Sequence, residues 1–148
     1  YAAVDLSDLR AVSRFEWHVM STGYAARGAV VDGRYVLILM HRLILEAPSG
    51  VEVDHKNHDR LDNRRENIRL CSHGENMANQ VKRFQCTSSR FKGVFLENGK
   101  WRAQIKVNGR NRHLGIFLRE EEAALIYDRA AKSAFGDFAL LNYEPSEE

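Results

Sequence analysis

Residues 53–70 read VDHKNHDRLDNRRENIRL, a stretch with apolar side chains at its two ends and almost none between them. The ends, residues 51–54 and 68–70, suit two short strands, and the polar run that separates them suits a long loop. A helix follows at once. Ser72-His73-Gly74-Glu75 forms a capping box, in which Ser72 bonds the Glu75 amide and Glu75 reaches back to the Ser72 amide. The helix is expected to run to about Val81. Along this strand, loop, strand and helix, Asp54-His55, Asn63, Asn67 and Glu75-Asn76 fall at an ordered spacing.

Upstream, residues 24–31 and 34–40 read as two strands joined at Asp32-Gly33, a pair that tolerates the positive φ of a tight hairpin. Met40, Leu43, Ile44 and Ala47 then recur at helical spacing before Pro48. His18 and His41 are read as structural or surface histidines, with His41 close enough in sequence to support the polar motif.

The bland alternatives are a solvated Asp-His turn, turn caps at Asn63 and Asn67, and Glu75 as no more than the capping partner of Ser72. VDHKNHDRLDNRRENIRL followed by HGENMAN, with GYAAR and HRLI upstream, resembles the HNH endonucleases of the ββα-metal fold, in particular the homing endonucleases of phages and bacteria. The resemblance covers residues 24–80. His58 and His73 match no position of it and are read as exposed or DNA-proximal. The activity it implies, hydrolysis of a phosphodiester, needs a deprotonated water in line with the 3′ oxygen and a cation to absorb charge on the phosphoryl and leaving oxygens. A neutral imidazole near pH 7 suits the base. The resemblance implies that His55 is the general base, that Asp54 and Asn76 ligate the metal, and that Asn67, the central asparagine, bonds the loop backbone and fixes where His55 points. Asp54 points to the other side of an extended strand from His55, so it reaches the metal only where the strand bends. Two oxygen ligands suit Mg²⁺ or Mn²⁺, and no zinc is expected.

The whole chain has 148 residues, 44% of them apolar, with 22 Lys and Arg against 20 Asp and Glu. That is a globular composition, which excludes disorder, collagen and coiled coil. The longest apolar run, residues 35–40, is far below the roughly 20 residues of a spanning helix, and no signal layout is visible at the N-terminus. A soluble, intracellular protein of the cytoplasm, in a bacterium or a phage-infected cell, is expected. Cys71 and Cys86 lack Cys-x-x-Cys partners and are read as reduced thiols. The net charge of +2 hides an uneven distribution: residues 87–118 hold 7 basic and 1 acidic side chain, residues 119–148 hold 3 and 8. A basic block of this kind attracts polyanions, and nucleic acid is the leading partner.

That block is also patterned. Asn98-Gly99 and Asn108-Gly109 divide three antiparallel strands from Phe91 onward, after a linker at residues 85–90. Trp101, Ala103, Ile105 and Val107 alternate with Arg102, Gln104 and Lys106, giving the middle strand an apolar and a basic face. Two-residue loops pair Lys106 with Asn111, Gln104 with His113, Arg102 with Gly115 and Phe95 with Arg102. One face then holds Phe91, Phe95, Arg102, Gln104, Lys106, Asn111 and His113. The other holds Val94, Leu96, Trp101, Ala103, Ile105, Leu114 and Ile116. Lys92, Arg110 and Arg112 fall on this second side by parity and reach around the rim. From Glu120 the period turns helical, with Ala123, Ile126, Tyr127, Ala130 and Ala134 on one stripe, until Gly136 ends it.

Residues 88–142, through KGV, GKWRAQI, LGIF, EEAALIYDRAA and FG…A…LN, resemble the Apetala-type DNA-binding domain of plant ethylene-response factors. The resemblance implies a sheet laid in the major groove of duplex DNA. Phe95, His113 and Gln104 replace the arginine, tryptophan and glutamate of the plant pattern, so the plant target sequence does not carry over. DNA contact is expected from Phe91, Lys92, Phe95, Arg102, Gln104, Lys106, Arg110, Asn111, Arg112 and His113.

The expectation is thus an α+β protein with an HNH nuclease domain at residues 1–84, its ββα-metal core at about 51–82, and a DNA-binding domain at 91–143 made of a three-stranded antiparallel sheet on one helix. It is expected to cut DNA with the help of a metal ion, as a homing-type nuclease or nickase, and no obligatory protein partner is implied. Two rivals are an inactive nuclease serving as a DNA-binding regulator and an RNA-binding module.

Overall fold

The chain opens with α1 (Leu6–Val12), a helix that no apolar periodicity announces: Leu6 and Leu9 are exposed, and only Asp8 and Val12 are buried. Charge holds it in place. Arg65 donates to the two Asp8 carboxylate oxygens at 2.8 and 2.7 Å, and the Arg65 amide donates to Asp5 Oδ2 at 2.7 Å. The structure, a computed structural model, describes residues 1–82 and 88–143. It divides into two compact units, Tyr1–His73 and Gly74–Glu148. Residues 85–87 of the expected linker, Cys86 among them, lie outside the described residues.

In the first unit β1 (His18–Val19), β2 (Ala25–Val31) and β3 (Arg34–Leu39) form an antiparallel sheet in that order. Asp32 and Gly33 adopt φ of 50° and 74°, as the hairpin requires. The helical spacing after Leu39 gives α2 (Met40–Ile44), shorter than its apolar pattern. Then come β4 (Glu52–His55) and β5 (Ile68–Cys71), an antiparallel pair in which Asp54 faces Arg69 and His55 faces Ile68. Val12, Ala25, Met40, Ile44, Val53 and Ile68 make the core beneath them. Removing these side chains from water is the main force holding the unit together. Cys71 is a buried thiol at the end of β5.

The short helix α3 (His73–Asn79) begins directly after Ser72, as the capping signal implies, and ends two residues sooner than expected. The division between units falls at its start and not in the 85–90 segment. Its end shows why. Lys92 Nζ donates to the carbonyls of Met77 at 3.3 Å, Ala78, and Gln80 at 2.7 Å, and the Leu140 amide donates to the Ala78 carbonyl at 3.1 Å. The Met77 and Ala78 carbonyls are among the orphans that any helix leaves at its C-terminus, and Gln80 follows just beyond it. Lys82 Nζ makes the reciprocal arrangement, donating to Ser89, Phe91 and Val94 carbonyls at 2.9, 2.6 and 3.3 Å.

The rest of the second unit is β6 (Val94–Glu97), β7 (Lys100–Val107) and β8 (Arg110–Phe117), an antiparallel sheet in sequence order, followed by α4 (Glu120–Phe135) and a 3-10 turn (Gly136–Phe138). Both Asn-Gly pairs form hairpin turns, with φ between 50° and 75° at all four residues. The helix buries Ala123, Ala124, Tyr127, Asp128 and Ala131. Ala134, expected on the buried stripe, is exposed. Asp128 takes a core position because its carboxylate accepts from the Asn142 and Tyr143 amides at 2.8 and 3.0 Å, tying the following chain to the helix. The small alanines let Gly93 approach Tyr127 closely. A Cβ on Gly93, whose φ is 73°, would lie 1.9 Å from Tyr127 Cδ2 and 2.7 Å from the Gln104 carbonyl oxygen.

Candidate active site

The first unit builds its site from β4 and the loop that follows it. Asp54 and His55 are both buried, and the alternation of the strand sends them to different partners. Arg69 donates from Nε and Nη2 to Asp54 Oδ2 at 2.9 and 2.8 Å, which orients the carboxylate. His55 lies among rings. The His41 ring sits 5.0 Å away edge-on, and Tyr24 is 5.8 Å from His55 and 5.0 Å from His41. Arg60 covers the Tyr24 ring at 4.8 Å. On its polar side His55 Nε2 is 3.2 Å from Asn63 Oδ1.

The electrostatics keep this cluster uncharged. Burial, with His55 and Arg42 adding to it, pushes the His41 imidazole down to about 4. Burial also lowers His55, against the Asn63 hydrogen bond and the carboxylates of Asp54, Asp59 and Asp62, which pull the other way. Both rings are therefore neutral near pH 7, the state in which an imidazole can accept a proton. His41 Nδ1 is buried and has no hydrogen-bond partner among the described residues.

The loop at residues 56–67 is shaped by its own polar side chains. Asn67 Nδ2 donates to the Asp62 carbonyl at 2.7 Å, and Asn67 Oδ1 accepts from the Asn57 amide at 3.0 Å. Asn57 Nδ2 donates to Asp62 Oδ2 at 2.9 Å, and Arg64 grips the same carboxylate at 2.8 and 2.7 Å. Those Arg64 bonds hold the Asp62 carboxyl down to about 2. The N-terminal segment braces the loop from outside: the Ala3 amide donates to Leu61, and the Asn63 amide donates to Ala3, each at 2.8 Å.

In the second unit the face of the sheet turned away from α4 carries half-buried Phe95, Arg102 and Gln104 and exposed Lys106, Asn111 and His113. Arg102 Nη1 donates to Glu97 at 3.1 Å, and its guanidinium lies 5.6 Å from the Phe95 ring. The register holds from the turn to Gln104 and His113, where a bulge between Ala103 and Gln104 shifts it. Arg102 consequently pairs with Ile116 and not Gly115, which turns Ile116 onto the open face at 54% exposure. Leu96, also expected on the helix side, is exposed as well.

A family model for the HNH endonucleases matches residues 39–78. An uncharacterized HNH endonuclease of Acanthamoeba polyphaga mimivirus is 32% identical over 148 residues, 96% of this chain and 74% of that protein. The chain belongs to the HNH endonuclease family. Part of this HNH endonuclease is also similar to an ethylene-responsive transcription factor-like protein of Arabidopsis thaliana, 49% identical over 57 residues. That is 38% of this chain and 24% of the plant protein. An AP2/ERF and B3 domain-containing transcription repressor of the same plant is 43% identical over 58 residues, 38% of this chain and 16% of its own.

Within this HNH endonuclease, His55 and Asn67 lie on β4 and its loop, and Asp54 lies one residue before His55. Asn76 is half-buried on α3, in the second unit. Arg110 and Arg112 are exposed on β8. Two residues expected to contact DNA, Phe91 from the open face and Lys92 from the rim, are elsewhere. Phe91 is in the core with Val94, Ala103, Ala123 and Ala124, because β6 begins only at Val94 and the ladder parity does not extend back to residue 91. Lys92 does not reach around the rim: its ammonium is bound to the α3 carbonyls, and burial pulls it down to about 8. His41, read as close enough to support the motif, packs against His55, and Tyr24 and Asn63, outside the expected site residues, also lie beside it. The HRLI and GYAAR matches upstream of the loop were the available signals for the first two. His58 and His73 are exposed, and His73 Nδ1 lies 2.9 Å from Glu52 Oε1.

Proposed function

We propose that this HNH endonuclease is a metal-dependent DNA nuclease of homing type, cutting or nicking at chosen sites and leaving 5′-phosphate and 3′-hydroxyl ends. The observation that carries the reading is the His55 imidazole: buried, neutral near pH 7, and bonded to Asn63 in a chain of this family. His55 takes the proton of the attacking water, a contribution of about 10² to 10⁴ in rate. Asn67 and Asp62 keep the loop that carries Asn63 in shape. Asp54 and Asn76 are the proposed ligands of Mg²⁺ or Mn²⁺. A carboxylate and an amide oxygen fit a hard cation that retains several waters, and Arg69 presets the carboxylate. The bound ion would neutralise charge developing on the phosphoryl and leaving oxygens.

The second unit supplies affinity for duplex DNA. Its similarity to plant transcription factors, the basic block at residues 87–118 and the open face bearing Arg102, Gln104, Lys106, Asn111 and His113 support this reading. Arg102, Lys106, Arg110 and Arg112 suit phosphates, and Gln104 suits an adenine edge. Supercoiled plasmid incubated with Mg²⁺, Mn²⁺, Zn²⁺ or EDTA, followed by end mapping, tests the whole. Nicks or breaks with Mg²⁺ or Mn²⁺ are expected, lost in His55→Ala, and weakened in Asp54→Ala and Asn76→Ala. His55→Ala should bind DNA as the parent does. A His55→Ala variant that cuts within about tenfold of the parent removes His55 as the base. Zinc-selective cutting overturns the oxygen-ligand assignment.

A further inference from the structure

We propose that Ile116 is a specificity-determining residue that packs against the C5 methyl group of a thymine, so that the sheet of the second unit selects sites with an A·T pair under its β8 edge. This rests on the reading of the open face as a surface for duplex DNA and adds a base that the face selects. The bulge after Ala103 sets Phe95, Arg102 and Ile116 side by side in one row across β6, β7 and β8. The two ends of that row differ. Phe95 is half-buried, with the Arg102 guanidinium 5.6 Å and the Lys82 ammonium 5.5 Å from its ring, and Glu97 accepts from Arg102 at 3.1 Å. Arg102 thus leans toward β6, and Ile116 stands 54% exposed on β8.

A single exposed isoleucine is ordinary on a protein surface and implies nothing alone. Its neighbours give this one a meaning. Gln104, Lys106, Asn111 and His113 share the face, within residues 87–118, where 7 basic side chains stand against 1 acidic. Such a block attracts a polyanion, and the apolar group that a duplex displays in its major groove is the thymine C5 methyl. Gln104, which suits an adenine edge, lies one ladder step diagonally from Ile116. Diagonal neighbours are about 7–8 Å apart. At about 3.4 Å per base along a strand, the thymine falls within roughly two steps of that adenine.

The intact chain, in EDTA to withhold metal and at one salt concentration, selects duplexes from a library of random sequence. The selected site is then remade with deoxyuridine in place of each thymidine in turn, which deletes one methyl group and keeps every hydrogen bond. At one thymine the parent should lose about fourfold in affinity, the worth of one buried methyl. Ile116→Val should show the same loss. Ile116→Ser, a change at an exposed position, should bind the thymine and uracil duplexes alike. Equal binding of both by the parent at every position overturns the proposal, as does a loss in Ile116→Ser as large as in the parent. So does retention of duplexes that share no site. A chain that retains no duplex at all removes the reading of the face as a DNA surface, and the proposal with it.

Discussion

From His55 to Asn67 the chain is held by amides and carboxylates that bond to backbone a few residues away, whereas from Val94 to Phe117 it is held by ladder bonds and by Val94, Ala103 and Ile105 packing on α4. The two regions fail in different ways. In the loop a change of volume matters less than the loss of a donor or acceptor, because an orphaned buried group costs about 1–3 kcal/mol. In the sheet the ladder survives loss of a side chain, and shape at the helix contact decides. The proposed chemistry falls on the first kind of structure and the proposed recognition face on the second.

That contrast is tested most severely at Gly93. Gly93→Ala needs an L-residue at positive φ and drives a methyl into the Tyr127 ring, so the second unit should lose about 3 kcal/mol or more. Thermal unfolding followed by tyrosine and tryptophan signals measures this, and a loss below about 1 kcal/mol would show that the close approach is absent.

The buried ring pair of the first unit predicts a pH dependence. His41 is lowered from 6.5 to about 4, so the unfolded chain binds the proton more readily than the folded one. Its stabilising effect is complete above pH 6.5 and is lost as pH falls from 6.5 through 4, by about 3 kcal/mol at the low end. His55, lowered by burial, acts in the same direction. Urea unfolding at pH 7 and pH 4.5 should show the drop, and His41→Phe should remove most of it. Equal stability at both pH values in the parent contradicts the burial of an uncharged imidazole.

On the open face the effects are smallest and concern binding. Arg102→Ala with Lys106→Ala should reduce the slope of log affinity against log salt by roughly 1.8, about 0.9 for each phosphate no longer neutralised. Gln104→Ala should weaken the preferred site by about 1–3 kcal/mol and random DNA hardly at all. An unchanged slope would move the phosphate contacts to Arg110 and Arg112.

Legibility followed the same division. The hairpins of the second unit were readable to the residue because Asn-Gly turns and strict alternation are local signals, and β7 and β8 carry them. The reading failed at Ile116 and Phe91, where a bulge and a late strand start broke the parity without marking the sequence. In the first unit the family spacing put forward His55, Asn67 and Asp54 as site residues. It could not say that Asn63 would meet His55, since that bond depends on how the loop closes. Nor could it find α1, whose attachment is the distant Asp8–Arg65 pair and not an apolar stripe.

The anchors of α3 have a consequence for synthesis on the ribosome. A helix of seven residues is too short to persist alone. Lys92 and Leu140, which hold its last carbonyls, are translated after it, Leu140 roughly 60 residues later. At about 5–20 residues per second, the nascent chain spends roughly 3 to 12 s with β4 and β5 made and the segment bearing Asn76 unsecured. On the proposed assignment of Asn76 as a ligand, the segment that carries it is secured only after the sheet and helix that follow it have been translated.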